Sequence, residues 1–208
     1  MLHLEAVQPN IIPILNRLFG LKELQGFCLV GGTALSLRYG HRSSVDLDLF
    51  TDGNLDRDAV VAALEKEFGN LFAYKPSRAS WAVFCHIDGV KVDVVRYPHP
   101  RIAPVVIEDK LRSYDDADIA AMKVQAILGR GVKKDFWDLN ELLSHHQLQW
   151  VMDRHREKYP NQMLAVSIPQ ALMYFVDADT SEDPVSLKGQ TWEGIKQSIS
   201  QTVNDYLK

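Results

Sequence analysis

Acidic and apolar residues alternate along residues 45–50, in the order Val-Asp-Leu-Asp-Leu-Phe. A period of two residues is typical of a β-strand, because successive side chains of a strand point to opposite faces of the sheet. The pattern therefore predicts a strand with one apolar face and one acidic face. Asp46 and Asp48 project from the acidic face, about 6 to 7 Å apart along the backbone.

Two carboxylates on one face repel each other unless a cation lies between them or water separates them. Hard divalent ions such as Mg²⁺ or Mn²⁺ take oxygen ligands, and Mg²⁺ needs only one or two carboxylates together with substrate phosphates. A pair of aspartates in this arrangement can serve two metal ions, one that polarises an attacking hydroxyl and one that stabilises a leaving group. We therefore predict that Asp46 and Asp48 bind metal.

A glycine turn precedes this strand along the chain. Residues 27–30 form a short apolar run that predicts a buried strand, and Gly31, Gly32 and Thr33 follow it. We expect Thr33 to cap a helix that ends near Gly40. Glycines allow the backbone to approach phosphate oxygens, and a helix N-terminus attracts anions through its free N–H groups and its dipole. The turn is a candidate phosphate site, although a Gly-Gly-Thr turn alone is weak support.

A third carboxylate comes from a predicted hairpin. Residues 81–87 and 90–97 predict strands on either side of Asp88-Gly89, a dipeptide typical of tight turns. Asp93 lies in the middle of the second strand, where apolar neighbours make an isolated charge costly. Hairpin geometry allows this carboxylate to complete the metal site. The alternative is that Asp93 faces solvent on a half-exposed strand, and the residues alone favour neither.

The segment LVGGTALSLRYGHRSSVDLDLF at residues 29–50 resembles the first motif of DNA polymerase β-like nucleotidyltransferases, and within them the AbiEii-type toxins of type IV toxin–antitoxin systems. Members of that family combine a minimal nucleotidyltransferase fold with a helical C-terminal region. The resemblance covers roughly residues 25–145. It implies nucleotide transfer from an NTP, an RNA acceptor (tRNA ends in particular) and a cognate antitoxin as partner.

Two later segments, DIAAMK at residues 118–123 and KKDFWDL at residues 133–139, resemble further motifs of the same family. By that resemblance Lys123 engages the nucleotide phosphates, Asp135 is required for activity, and Asp138 completes an Asp-x-x-Asp pair and contributes to nucleotide binding. The residues alone also allow structural roles. A helical lysine among apolar residues often extends its ammonium to solvent, and the helix dipole favours acids near a helix start.

Basic side chains near the end of the first motif offer further phosphate contacts. Arg38 and Arg42 flank the end of the predicted helix, and arginine binds phosphate through charge-assisted hydrogen bonds. Arg42 is the preferred candidate for nucleotide binding, and an ordinary surface position is the alternative.

The layout predicts an α/β (α+β) fold. Up to about residue 110 the chain alternates strands and helices and then forms the hairpin, which indicates a mixed sheet. We assign residues 1–110 to a sheet domain with an N-terminal helix and residues 111–208 to a helical region. Residues 177–184 are acidic and polar and predict an exposed loop. The spacing beyond residue 111 predicts helices at about 116–128, 134–145, 148–158, 163–175 and 191–207.

The net charge and the apolar content of the chain limit the classes of partner that it is expected to bind. The 208 residues carry a net charge of −4, which does not favour general DNA binding. No apolar stretch reaches the roughly 18 residues of a membrane helix, and the first residues lack a signal-peptide pattern. We therefore expect a cytoplasmic protein without membrane contact. Cys28 and Cys85 lie in apolar segments and are expected to be buried rather than disulfide-bonded.

Together these patterns predict a metal-dependent nucleotidyltransferase that uses an NTP. The glycine turn and Thr33 would hold the phosphates, and Asp46, Asp48 and Asp93 would hold the metal. The alternative is a non-catalytic module that keeps the same fold in order to bind a nucleotide or a partner.

Overall fold

The alternating segment forms the middle of a seven-stranded sheet in the computed structural model, which describes all residues from 1 to 208. The strands are β1 (Cys28–Leu29), β2 (Leu47–Thr51), β3 (Phe72–Tyr74), β4 (Ala82–Ile87), β5 (Val90–Arg96), β6 (Val106–Glu108) and β7 (Leu111–Ser113). Their order across the sheet is β3-β4-β5-β2-β1-β7-β6.

The sheet is mixed in direction, as predicted. Strand β2 runs parallel to β5 and antiparallel to β1, and β1 in turn runs parallel to β7. Strands β4 and β5 form the predicted antiparallel hairpin. Its turn residues Asp88 and Gly89 both have positive φ, at 50° and 77°. Positive φ at both central residues is the requirement of a type I′ turn, which explains the Asp-Gly dipeptide.

Helices pack around the sheet and form most of the chain beyond it. They are α1 (Ile11–Gly20), α2 (Gly31–Tyr39), α3 (Arg57–Phe68), α4 (Asp116–Gly129), α5 (Lys133–Leu143), α6 (Leu148–Lys158), α7 (Ile168–Leu172), α8 (Val176–Asp179) and α9 (Trp192–Tyr206). None of these helices combines the length and the apolar character that a bilayer crossing requires.

The two faces of the central strands have different surroundings. The side chains of Leu47, Leu49, Val92 and Val94 point to one face and are buried in a single core of 44 residues. That core also takes in apolar residues of α4, α5, α6 and α9, so the sheet and the helical region share it. The opposite face carries the alternate positions of the same strands and borders an open cleft.

Several local predictions were wrong in detail. Strands β3, β6 and β7 were not predicted, because three residues are too few to show a period of two. Strand β7 extends the sheet just past residue 110. The helix predicted at 163–175 is only α7, which begins after Ser167 with a capping box to Gln170. Pro169 therefore lies in the first turn, where its missing N–H costs nothing, instead of disturbing a longer helix.

Candidate active site

The cleft has a volume of about 730 Å³ and lies between the sheet and the helical region. Its floor consists of alternate residues of β2 and β5, and its opposite wall comes from α4, the start of α5 and residues 181–184. All the site residues predicted from the sequence except Asp138 line it directly. The charged lining residues are Asp46, Asp48, Asp93, Asp135, Glu182, Asp183, Arg42, Lys91, Lys123, Arg130 and Lys134.

Asp48 and Asp93 occupy directly paired positions on the parallel strands β2 and β5. Neighbouring strands are about 4.8 Å apart, so the two carboxylates project side by side into the cleft. Burial raises the pKa of Asp48 above its ordinary value, and the nearby carboxylate of Asp93 raises it further. The Oδ1 atom of Asp93 is buried and has no hydrogen-bond partner. An acceptor in that position is suited to a cation or to a donor from a substrate.

Asp46 lies just before β2 and lines the same cleft, two positions from Asp48. A hydrogen bond from helix α2 fixes the backbone at this position, because Thr33 Oγ1 donates to the carbonyl oxygen of Asp46. The same hydroxyl lies 2.8 Å from Ser44 Oγ. Asp46 and Asp48 therefore both line the cleft, but the strand begins at Leu47, so Asp46 lies outside the strand that the alternation predicted at 45–50.

The residues present fit a divalent cation that also binds a substrate. No three His, Cys, Asp or Glu side chains lie close enough together to hold a metal ion by themselves. Mg²⁺ needs only one or two carboxylates when substrate phosphates supply further oxygens. The Asp48–Asp93 pair, with Asp93 Oδ1 unpartnered, supplies oxygen ligands of the required kind.

Lys91 is a neighbour of this pair that the sequence reasoning missed. Its ammonium donates to Asp93 Oδ2, and the side chain is about half exposed. Burial alone would lower the pKa of Lys91, but its hydrogen bond and charge interaction with Asp93 raise it instead. A positive charge beside paired carboxylates reduces their mutual repulsion. The signal was available, since Lys91 lies two positions before Asp93 on the same strand face.

The glycine turn contacts the acidic pair directly. Gly31 has φ +70° and opens helix α2, and a Cβ at this position would lie 3.1 Å from Asp48 Oδ2. Gly32 is even more restricted, because a Cβ there would lie 1.9 Å from Arg42 Nη2. The first N–H groups of a helix have no partner within the helix, so the turn presents donors beside the carboxylates.

The role predicted for Thr33 at the helix start was wrong. Helix α2 begins at Gly31 with Val30 as N-cap, and no side chain caps it. Thr33 is buried in the first turn, and its hydroxyl forms hydrogen bonds with the carbonyl of Asp46 and the hydroxyl of Ser44. Thr33 therefore ties the glycine helix to the segment that carries Asp46.

Asp138 is the centre of a buried ion cluster behind the cleft. Its Oδ1 accepts hydrogen bonds from His41 Nε2 at 2.8 Å and Arg42 Nε at 2.7 Å. Its Oδ2 accepts from Arg42 Nη2 at 2.9 Å and lies 2.6 Å from Lys123 Nζ. Burial alone would raise the pKa of Asp138, but Lys123 and Arg42 hold it well below its ordinary value.

Asp135 joins the same cluster from the first turn of α5. It lies 3.0 Å from Lys123 Nζ and 3.0 Å from Arg130 Nε. Burial alone would lower the pKa of Lys123, yet Asp138 and Asp135 raise it. An ammonium has three donors, and two point to these carboxylates, so one remains for the cleft that Lys123 lines. The three residues predicted from the later motifs, Lys123, Asp135 and Asp138, thus lie together with Arg42.

Residues 181–184 line one side of the cleft and are largely exposed, which confirms the prediction of an exposed loop for this part of 177–184, whereas Val176–Asp179 form the short helix α8. The backbone of Ser43 donates to Val185 O at 2.8 Å, and Leu187 donates to His41 O at 3.0 Å. Lys133 Nζ lies 2.6 Å from Asp183 Oδ1. These contacts hold the exposed stretch against the cleft, and they join residues too far apart in sequence to be predicted from a local pattern.

An aromatic pair at the cleft was also missed. Trp81 and Phe84 are 52% and 39% exposed, and both line the cleft. Their ring centroids are 5.7 Å apart at an interplanar angle of 83°. The available signal was Phe84 in the alternating segment 82–87, where a large apolar side chain shares the outward face with His86.

The profile of the family described as "Nucleotidyl transferase AbiEii toxin, Type IV TA system" matches residues 14–184 of the chain. The chain belongs to this AbiEii nucleotidyltransferase toxin family. The matched range contains every candidate residue described above. An uncharacterized protein of Aquifex aeolicus (strain VF5) is 31% identical over 204 residues, which cover 93% of this chain and 94% of the relative.

Solved structures share the fold of this AbiEii-family chain. MenT4, a nucleotidyltransferase toxin from Mycobacterium tuberculosis H37Rv, aligns with a TM-score of 0.60 and 16% identity, covering 93% of this chain and 82% of that chain. JHP933 from Helicobacter pylori aligns with a TM-score of 0.57 and 18% identity, covering 98% and 92%. These likenesses confirm the α/β nucleotidyltransferase fold predicted from the sequence.

Proposed function

We propose that this AbiEii-family protein is an Mg²⁺-dependent toxin that transfers a nucleoside monophosphate from an NTP to RNA, with tRNA ends as the preferred class. The observation that carries the proposal is the pairing of Asp48 with Asp93 next to Gly31. A carboxylate pair and a glycine helix start place ligands for a metal and donors for phosphate within one cleft.

The donors of the cleft suit a triphosphate. The N–H groups at Gly31 and Gly32 would bind the β and γ phosphates, and Lys123 would direct its remaining donor to the same oxygens. Charge on the departing pyrophosphate grows as the bond between the α-phosphorus and its bridging oxygen breaks. Preorganised donors that face this charge lower the barrier of the transfer.

The acidic pair suits the other half of the reaction. Asp48 and Asp93 would hold the divalent ion together with phosphate oxygens, and Asp46 would lie beside them in the same cleft. The ion would polarise phosphate oxygens and lower the pKa of an attacking hydroxyl. The hydroxyl forms a bond to the α-phosphorus, and its proton passes to the carboxylate of Asp93 and then to solvent. Pyrophosphate leaves with the electrons of the broken bond. The unpartnered Asp93 Oδ1 is the acceptor for that hydroxyl proton.

Three residues would act on the substrate only through Lys123 and the glycine turn, without contacting it. They are Arg42, Asp135 and Asp138. Arg42 directs its guanidinium fork to Asp138, and Asp138 and Asp135 together fix the position of Lys123. We therefore assign to Arg42 and Asp138 a positioning role toward Lys123 and the glycine turn. This assignment replaces the direct nucleotide contact that the sequence suggested for them.

The experiment is incubation of the protein with each α-labelled NTP, Mg²⁺ and either total RNA or total protein. Asp48→Asn should abolish labelling of RNA, because it removes one carboxylate of the metal pair. Asp58→Asn is the matched control, since its side chain is 94% exposed on helix α3. Absence of Asp48-dependent label in RNA with all four nucleotides would contradict the proposal.

A cognate antitoxin is the partner that the toxin role requires. Expression of the wild-type chain alone should stop growth, and Asp48→Ala should relieve the arrest. Harmless expression of a folded wild-type protein would count against the toxin role while leaving transfer activity to the labelling assay.

A further inference from the structure

The aromatic pair of Trp81 and Phe84 lies next to the acidic pair in the sheet. Phe84 on β4 is directly paired with Asp93 on β5, and Asp93 is directly paired with Asp48 on β2. The three side chains therefore form a row across neighbouring strands on the face that borders the cleft. With strands about 4.8 Å apart, the ring of Phe84 stands one strand from Asp93.

The glycine turn lies at the other end of this row. Strand β1 leads into Gly31 and pairs with β2 on the side opposite β5. A Cβ on Gly31 would lie 3.1 Å from Asp48 Oδ2, so the turn adjoins the Asp48 end. The order across the cleft is therefore glycine turn, Asp48, Asp93 and aromatic pair.

The in-line geometry of phosphoryl transfer predicts which end of this row lies next to the acceptor. The attacking and leaving oxygens lie roughly in line on opposite sides of the reacting phosphorus. If the leaving pyrophosphate is held at the glycine turn, the attacking hydroxyl approaches from the side of Asp93. The group that carries this hydroxyl then extends over Trp81 and Phe84.

We propose that Trp81 and Phe84 form the acceptor subsite, where terminal bases of a single-stranded RNA end stack and present a ribose hydroxyl to Asp93. The proposal rests on the transfer reaction proposed above and names how its acceptor is held. Aromatic side chains bind bases of any sequence through their π-faces. The exposed side chain of Lys134 lines the same cleft and is available to the phosphate backbone, as are the donors of Lys91 and Arg130 that Asp93 and Asp135 do not use.

The exposure of the two rings favours a role in ligand binding over a structural role. Trp81 is 52% exposed, whereas the side chains of Trp137 and Trp192 are buried in the core. An exposed indole contributes little to the core of this chain, so its replacement should leave the fold intact. Trp81→Ala and Phe84→Ala are therefore usable variants.

The test measures binding and kinetics separately. A labelled single-stranded oligoribonucleotide is titrated into the protein without NTP, and KM values for RNA and for NTP are measured with Mg²⁺. Trp81→Ala and Phe84→Ala should weaken RNA binding and raise the KM for RNA about 10- to 100-fold, with the KM for NTP unchanged. Trp81→Phe should restore most of the affinity, because it keeps an aromatic face.

Tyr174→Ala is the matched control, because Tyr174 is 53% exposed and lies outside the cleft. A raised KM for NTP with unchanged RNA binding would overturn the proposal and assign the pair to the nucleotide base. Unchanged KM values in both alanine variants would overturn it as well, as would Asp48-dependent labelling of protein instead of RNA. RNA binding that depends on Trp81 without any transfer would support the subsite while contradicting the proposed reaction.

Discussion

Asp48 and Asp93 face each other across the parallel strands β2 and β5, and a buried oxygen of Asp93 has no protein partner. Two carboxylates so placed repel each other, and the single ammonium of Lys91 offsets this repulsion only in part. Burial, and then the charge of Asp93, raise the pKa of Asp48, which means that the charged form of Asp48 is unfavourable at this position. Sites that bind charged ligands often keep such unfavourable arrangements at the expense of stability.

Replacing Asp48 by Asn should therefore stabilise the metal-free protein while abolishing transfer. Because the pKa of Asp48 is raised on folding, the protonated form is favoured in the folded state, and the stability it contributes is lost as pH rises through that pKa. At neutral pH the charged form opposes folding, and the amide removes the charge. Thermal unfolding in the presence of a chelator should show a higher Tm for Asp48→Asn than for the wild type.

Addition of Mg²⁺ with a non-hydrolysable NTP should reverse this ranking. A ligand that binds only the folded state raises the Tm of the protein that binds it, so the wild type should gain and Asp48→Asn should not. A Tm that falls in Asp48→Asn without metal would contradict the account of the acidic pair.

Loss of Asp138 should cost more stability than loss of Lys123. Asp138→Asn leaves the buried cations Arg42 and Lys123 without their shared carboxylate, and breaking such a buried pair costs about 3–5 kcal/mol. Lys123→Met leaves Asp135 with Arg130 and Asp138 with Arg42. Urea unfolding measures both free energies. An equal or larger loss in Lys123→Met would contradict the central position of Asp138.

Gly32→Ala should destabilise the protein through Arg42. The new methyl group would lie 1.9 Å from Arg42 Nη2, so the guanidinium must leave Asp138. Loss of a charge-assisted hydrogen bond of this kind costs about 1.5–3 kcal/mol. Gly20→Ala is the control, because a Cβ at Gly20 meets no atom within 4 Å and φ is not positive there. Comparable unfolding free energies for the two variants would show that Arg42 relaxes freely.

Stability should fall in mild acid because of His155. Burial, and then the charge of Arg156, lower the pKa of His155 from 6.5 to about 4. Because the folded pKa is depressed, the stability from the neutral ring is fully present above pH 6.5 and is lost as pH falls toward 4. The loss is at most about 3 kcal/mol.

Urea unfolding at several pH values measures this dependence. In the wild type His155 Nε2 lies 3.1 Å from Gln125 Oε1, and His155→Gln keeps a polar side chain that does not titrate. The variant should show a shallower loss of stability between pH 6.5 and 4. An unchanged pH dependence would assign the acid sensitivity to other groups.

Local patterns predicted the floor of the site. The alternation of residues 45–50 predicted the strand that carries Asp48, because side-chain direction on a strand depends only on the parity of position, although Asp46 lies just before that strand. The Asp-Gly turn likewise predicted the hairpin that contains Asp93. Resemblance to a known family added Lys123, Asp135 and Asp138, which no local pattern marked as functional.

Contacts between distant residues could not be predicted in this way. Arg42 and Asp138 are 96 positions apart, and their pairing depends on how α2, α4 and α5 pack. The same packing explains why Gly32 is a glycine, which the sequence suggested was a matter of phosphate access alone. Trp81 and Phe84 were missed because their proximity to Asp93 follows from the pairing register of β4 and β5.

Two labels distinguish transfer of the α-phosphate of an NTP in this cleft from transfer of its γ-phosphate. Purified protein, Mg²⁺ and RNA are incubated with NTP labelled either at the α or at the γ phosphate. The account predicts that RNA acquires the α label in wild-type protein only, that γ label appears in released pyrophosphate, and that Asp48→Asn and Asp93→Asn give neither. Transfer of the γ label to RNA, or α labelling that persists in Asp48→Asn, would contradict it.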